Sequence, residues 1–112
     1  MASSKHFTPS EFACPHCGVS LARQKLVTAL EALRLMVGHP IRIVSGYRCP
    51  VHNERVGGAK DSMHMYGAAV DVPRGTCSVH QAERAGFVGI GTKNSLPVHL
   101  DVRDGRATRW TY

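Results

Sequence analysis

The sequence predicts an α+β fold formed by one small domain. Its 112 residues allow one modest hydrophobic core, and 43% hydrophobic and 20% charged residues are ordinary values for a globular protein. Segments with helical periodicity are mixed with short β-branched segments, without the regular strand–helix–strand order of a parallel α/β fold. We therefore expect residues 1–112 to form a single domain of short strands and helices.

The helices are predicted from periodicity and from signals at their ends. Thr8-Pro9-Ser10-Glu11 supplies a capping threonine, a proline suited to the first turn and an acid that completes a capping box. The clearest helix covers about residues 22–37 and ends at Gly38. Shorter helices are predicted at 50–56 and 78–86. The apolar face of the long helix consists of Leu26, Leu30, Leu33 and Val37.

Strands are predicted where β-branched or small apolar residues form short runs. In the run at 67–72 the side chains are mostly small, which allows close approach of a neighbouring backbone. The predicted strands are residues 41–44, 67–72, 88–90, 98–102 and 108–110.

The charge and hydropathy of the chain limit its partners. A formal net charge of +6 favours acidic partners such as nucleic acid or an anionic cell envelope. The arginines are scattered rather than clustered as in a nucleic-acid-binding arm, so we expect no nucleic-acid partner. No apolar run is long enough to cross a bilayer, and residues 1–7 lack the apolar stretch of a secretory signal. We expect synthesis in the cytoplasm and no membrane insertion.

Four cysteines and seven histidines in so short a chain suggest metal binding. His64, Asp71 and His99 offer two imidazoles and one carboxylate, a donor set that suits a catalytic zinc ion with one open position. Their spacing alone is a weak signal, because a single histidine is more often a surface or hydrogen-bonded residue.

The cysteines form a second candidate metal site. Cys14-x-x-Cys17 and Cys49-x-x-His52 are two half-sites of equal spacing, as in structural zinc sites. The alternatives are unligated thiols and a disulfide formed after export. Cys77 stands alone and has no predicted chemical role.

An ordered set of motifs carries a stronger signal. In chain order they are Ser45-Gly46-Tyr47-Arg48, Asn53, Val56-Gly57-Gly58, Ser62-x-His64, Gly67-x-Ala69-x-Asp71, His99-x-Asp101 and Arg109-Trp110. The set extends over nearly the whole chain and resembles the M15 family of zinc D-alanyl-D-alanine carboxypeptidases, in particular its short members common in phages and prophages. The resemblance implies a small antiparallel sheet flanked by helices, as in these enzymes and in hedgehog signalling domains.

The resemblance also implies roles for individual residues. Zinc would be held by His64, Asp71 and His99. Arg48 would bind a substrate carboxylate or the polarised carbonyl, for which a planar fork of donors is suited. Ser62 would either hold a substrate carboxylate or cap a turn.

The sequence departs from the family at the general base. Many M15 members carry an acid three positions before the last histidine ligand, where this chain has Leu96. Asp101 shares a strand face with His99, so we expect it to act either as the base or as a hydrogen-bond partner of a ligand histidine. Candidates further from the motif are Glu83, Asp61 and His80.

The function implied by the resemblance is that of a zinc-dependent peptidase. Its substrate would be the peptidoglycan stem peptide, cut by D-Ala-D-Ala carboxypeptidase or by endopeptidase chemistry. Leu96 leaves open the alternative of a catalytically inactive zinc-containing module that binds the cell wall. We expect a monomer that reaches the bacterial wall by release or delivery, in phage lysis or with a virion.

Overall fold

Three α-helices accompany one four-stranded sheet in the computed structural model, which describes residues 4–112. Residues 1–3, part of the segment considered for a secretory signal, lie outside the described residues. Two 3₁₀ turns cover Pro9–Phe12 and Met63–Tyr66. The helices are α1 (Gln24–Val37), α2 (Pro50–Arg55) and α3 (Val79–Ala85), and the strands are β1 (Ala69–Asp71), β2 (Gly89–Lys93), β3 (Leu96–Asp101) and β4 (Thr108–Thr111).

The sheet has the strand order β1–β3–β2–β4. β3 pairs antiparallel with both β1 and β2, whereas β4 pairs parallel with β2. The predicted α+β class is confirmed, and the sheet is mixed where a wholly antiparallel one was expected. Because both edges of β3 are occupied, residues 102–107 cross to the free edge of β2, and β4 then runs in the direction of β2.

A tight hairpin joins β2 to β3. Its two turn residues, Asn94 and Ser95, have φ values of 49° and 71°, the left-handed conformation that two-residue hairpin turns require. Arg74 donates to the carbonyl oxygens of Lys93 and Asn94 at 2.9 and 2.8 Å. The hairpin lengthens both strands at the turn beyond the predicted ranges and puts β3 in the middle of the sheet.

The helix predictions are confirmed, with small shifts of their ends. α1 begins at Gln24 and ends at Val37, and Gly38 caps it with a φ of 71°. Its buried face includes the predicted Leu26, Leu30 and Leu33, which join sheet residues such as Ile90 and Leu100 in one apolar cluster. Capping boxes are present at Thr8 with Glu11 and at Ser78 with Gln81.

The predicted strand at 41–44 is wrong. Pairing here is limited to an isolated bridge between Ser45 and Asp71. β1 ends at Asp71, and the next residue, Val72, donates its N–H to the carbonyl of Val98, so the bridge does not extend into a ladder. The apolar residues of the run still serve the core, since Ile41 is buried.

Within residues 4–112, no helix combines the length and the apolar character needed to span a bilayer.

Candidate metal centre

His64, Asp71 and His99 converge at one end of β1. Asp71 and His99 are direct partners in the β1–β3 register, and His64 lies on the 3₁₀ turn before β1. Asp71 Oδ1 is 3.2 Å from His64 Nε2 and 3.4 Å from His99 Nδ1. Ligand atoms about 2.0–2.1 Å from a tetrahedral zinc ion are about 3.3 Å apart, so both distances fit.

Local structure fixes the position of His64. Ser62 caps the 3₁₀ turn, its Oγ accepting the His64 N–H at 3.2 Å. Gly67 ends the turn with a φ of 67°, and a Cβ there would overlap Leu21. The structure therefore gives the buried Ser62 the turn-capping contact, one of the two roles predicted for it.

The tautomer of His64 is set by the main chain. His64 Nδ1 lies 2.8 Å from the carbonyl oxygen of Gly46, which only accepts hydrogen bonds. Nδ1 therefore carries the proton, and Nε2 presents its lone pair to Asp71.

The tautomer of His99 is set by Asp101. His99 Nε2 lies 2.8 Å from Asp101 Oδ2, so Nδ1 is the nitrogen that presents a lone pair to Asp71. Burial raises the pKa of Asp101, but bonds from Arg103 and His99 outweigh it and hold this pKa well below its usual range. Asp101 is therefore an ionised acceptor.

The three converging atoms form a donor set that fits a cation. Burial raises the pKa of Asp71, but His64 and His99 lower it well below its usual range, so this group is a carboxylate. When both histidines are neutral, with their ring protons directed at Gly46 and Asp101, three lone pairs face one another within 4.8 Å. Such an arrangement is repulsive unless a positive charge lies between the atoms.

Arg48 holds the other oxygen of Asp71. Its Nη2 donates to Asp71 Oδ2 at 2.7 Å, its Nε donates to Ser45 Oγ at 3.1 Å, and its Nη1 lies 3.5 Å from Asn53 Oδ1. Asn53 is in turn fixed by its bond to the carbonyl of Ala59 at 2.9 Å. Arg48 therefore orients Asp71 so that Oδ1 is directed at the histidines.

Comparison with known proteins agrees with this geometry. The Peptidase M15 family profile matches residues 5–101. The chain belongs to the M15 peptidase family. One curated relative is the zinc D-Ala-D-Ala carboxypeptidase of Streptomyces albus G, which is 42% identical over 59 residues. The alignment covers 49% of this chain but only 23% of the relative, so the part of that protein matched by this chain is less than a quarter of its length.

In this member of the M15 family the donor set lies in an open cleft of about 1140 Å³. Four cationic side chains line the cleft, against two carboxyl groups among the described residues, Asp61 and Asp71. The cationic residues are Arg48, Lys60, Lys93 and Arg103. Apolar side chains also line the cleft, among them Val44, Val56, Val98, Trp110 and Tyr112.

The residues predicted as candidates for the general base differ in their access to the cleft. Asp101 has no exposed surface, and both of its oxygens are bonded to His99 or Arg103. Glu83 pairs with Arg109 at 2.9 Å, and neither Glu83 nor His80 is among the residues lining the cleft. Asp61 does line the cleft.

The predicted cysteine cluster comes together only in part. The sulfurs of Cys14, Cys17 and Cys49 lie within 4.8 Å of one another. His52 meets the cluster through its backbone N–H, 3.5 Å from Cys49 Sγ, whereas His16 Nδ1 lies 3.4 Å from the same sulfur. Of these two histidines, His16 is therefore the one whose ring contacts a sulfur of the cluster.

Cys77 is separate from this group. It is buried, and burial raises its pKa to about 11, so its thiol stays protonated at neutral pH.

Sequence reasoning assigned no role to two residues around His99. Arg103 donates to Asp101 through Nε at 2.9 Å and Nη2 at 2.7 Å, and the Trp110 ring packs 4.9 Å from the His99 ring. The spacing His99-x-Asp101-x-Arg103 was a usable signal for Arg103, which follows the end of β3. Trp110 belongs to the last motif of the ordered set, but its place beside His99 depends on the parallel pairing of β4.

Proposed function

We propose that this M15 family member is a zinc-dependent peptidase that cleaves peptidoglycan stem peptides. The observation that carries the proposal is the convergence of three lone pairs, from His64, Asp71 and His99, inside an open cleft. The relative from Streptomyces albus G is by name a zinc enzyme acting on D-Ala-D-Ala, which supports both the zinc cofactor and the substrate class.

Bound zinc would polarise the scissile carbonyl and lower the pKa of a water molecule to about 7. The ligand atoms would be His64 Nε2, Asp71 Oδ1 and His99 Nδ1. Arg48 keeps Asp71 in place through Oδ2. The guanidinium of Arg48 also lines the cleft, and we assign it the further role of meeting a substrate carboxylate there.

For the general base we favour Asp61 over Asp101. A base must reach the proton that it removes, and Asp101 is fully buried with both oxygens bonded. Asp101 is better suited to hold the His99 ring. Asp61 is exposed and lines the cleft, and it compensates for Leu96 at the usual position of the acid.

The charge of the cleft supports an anionic peptide as the substrate. Lys60, Lys93 and Arg103 lie around the metal ligands, and Asp61 is the counteracting acid on the open side among the described residues. A stem peptide ends in a carboxylate and carries small alanine side chains. Its charge suits the cationic rim, and its methyl groups suit the wall formed by Val44 and Trp110.

Digestion of purified peptidoglycan tests this function. The zinc-loaded protein should release D-alanine if it is a carboxypeptidase, or larger peptide fragments if it is an endopeptidase, as identified by mass spectrometry. A chelator and the His64→Ala substitution should each abolish release, whereas substitution of the exposed His39 by Ala should not. Release that persists in the His64→Ala variant would contradict the proposal. Binding to the wall without any release would favour the inactive wall-binding module.

A further inference from the structure

A second group of metal donors lies where the loop after the first 3₁₀ turn meets the start of α2. Cys14 and Cys17 come from the loop, and Cys49 is the residue before α2. We infer that these three thiols hold a structural zinc ion, with His16 as the fourth donor. This inference does not depend on the proposed peptidase function.

The loop is shaped to present two sulfurs together. The Gly18 N–H donates to the Cys14 carbonyl at 2.8 Å, and the Cys14 N–H donates to the Val19 carbonyl at 2.8 Å. Gly18 has a φ of 75°, which closes the turn in a conformation that glycine adopts without strain. Such a closed loop with two cysteines three positions apart is half of a tetrahedral zinc site.

The third sulfur is brought to the loop by main-chain contacts. The Cys49 N–H points at Cys14 Sγ at 3.4 Å, and the His52 N–H points at Cys49 Sγ at 3.5 Å. These two contacts hold the sulfurs of Cys14 and Cys49 beside each other.

The number and type of donors favour a metal over a disulfide. A disulfide would join two of the three sulfurs and leave the third beside it, whereas all three lie within 4.8 Å of one another. The His16 ring adds a nitrogen 3.4 Å from Cys49 Sγ. Three thiolates and one imidazole form a common closed donor set for structural zinc.

The site would fix the chain directly beside the metal centre. Cys49 follows Arg48, whose guanidinium holds Asp71 at 2.7 Å. A zinc ion at the cysteines would thus restrain the backbone that carries Arg48, and it would join the amino-terminal loop to α2.

Zinc analysis of the full chain, purified under reducing conditions, tests the inference. Wild type should hold two zinc ions and His64→Ala one. The double variant Cys14→Ser/Cys17→Ser should also hold one, whereas Cys77→Ser is the matched control and should hold two. A His64→Ala protein with no bound zinc would overturn the inference.

Cobalt(II) substitution identifies the ligands on a chain that keeps all its cysteines. His64→Ala loaded with cobalt should show thiolate-to-cobalt charge-transfer absorption in the near ultraviolet, even if the double cysteine variant fails to fold. Adding His16→Ala should shift the visible bands of tetrahedral cobalt, and adding His52→Ala should leave them unchanged. The reverse result would overturn His16 as fourth donor. Absence of the charge-transfer band, with two thiols missing from a titration of the denatured protein, would show a disulfide instead.

Discussion

The two histidines of the metal centre present different ring nitrogens. His64 offers Nε2 because Nδ1 is bonded to the Gly46 carbonyl, and His99 offers Nδ1 because Nε2 is bonded to Asp101. Motif order was enough to predict that His64, Asp71 and His99 lie together. The sequence could not predict the nitrogens, since each depends on an acceptor whose position is known only once the chain has folded.

Asp101→Asn distinguishes the two roles considered for this residue. We expect zinc affinity to fall by about ten- to a hundredfold, because the His99 ring loses the carboxylate that fixes its tautomer. Excess zinc should then restore peptidase activity. Zinc affinity is measured by competition with a chromophoric chelator, and a melting curve establishes that the variant is folded.

The matched variant is Asp61→Asn. If Asp61 is the base, the turnover number should fall by about a hundred- to ten-thousandfold while zinc affinity stays at the wild-type value. Loss of turnover in Asp101→Asn with zinc fully bound would instead identify Asp101 as the base.

Strong local sequence signals predicted that an element exists and whether it is a helix or a strand. They predicted its first and last residues less well. Leu26, Leu30 and Leu33 identified α1, and the box of Ser78 and Gln81 identified the start of α3. The Asn94-Ser95 turn was missed, because serine rarely adopts a positive φ and its value of 71° is imposed by the hairpin. The β-branched run 41–44 indicated burial correctly and pairing incorrectly.

The amino-terminal segment is anchored on α1 by Glu31, which gives stability that depends on pH. Glu31 accepts the His6 N–H at 2.7 Å and lies 2.6 Å from His6 Nδ1. Burial raises its pKa, but bonds from Ser4 and His6 outweigh this and lower it from 4.5 to about 2. Because the folded pKa is depressed, the stabilisation is complete above the unfolded value and is lost as pH falls from about 4.5 to 2.

Glu31→Gln should therefore be less stable than wild type at pH 7, and the difference should shrink as the pH falls through this window. Urea unfolding at several pH values measures the free energy of unfolding. Glu54→Gln, on the exposed side of α2, is the control and should show no comparable trend. A difference between Glu31→Gln and wild type that is constant from pH 7 to pH 2 would refute the assignment.

At the scale of the whole molecule, the residues around His99 come from distant parts of the chain. β1, β3 and β4 contribute Asp71, His99 and Trp110, and the parallel pairing of β4 with β2 brings Trp110 within 4.9 Å of the His99 ring. The family resemblance predicted the α+β class and the ligand set over nearly the whole length. The position of β4 could not be predicted, because it follows from which sheet edges remain free.

Removal of metal should destabilise the whole fold. Ligand binding to the native state adds about 2.7–4.1 kcal/mol at free zinc of a hundred to a thousand times the dissociation constant. A chelator should therefore lower the melting temperature of wild type, and added zinc should restore it. The melting temperature of His64→Ala should fall less on chelation, because this variant has already lost one of the two zinc sites. A wild-type melting temperature that is insensitive to both treatments would be incompatible with a metal-supported fold.

Gly46 connects the metal centre to the packing of the amino-terminal segment. Its carbonyl accepts the bond from His64, while a Cβ added to Gly46 would lie 2.7 Å from the Phe12 Cα. Any side chain at this position must therefore displace either the amino-terminal turn or the carbonyl. In a saturation-mutagenesis screen, substitutions of Gly46 should reduce activity as substitutions of the ligand residues do, although Gly46 has no side-chain functional group. A substitution of Gly46 that preserves activity would require a compensating change beside Phe12. The two positions should therefore change together in related sequences.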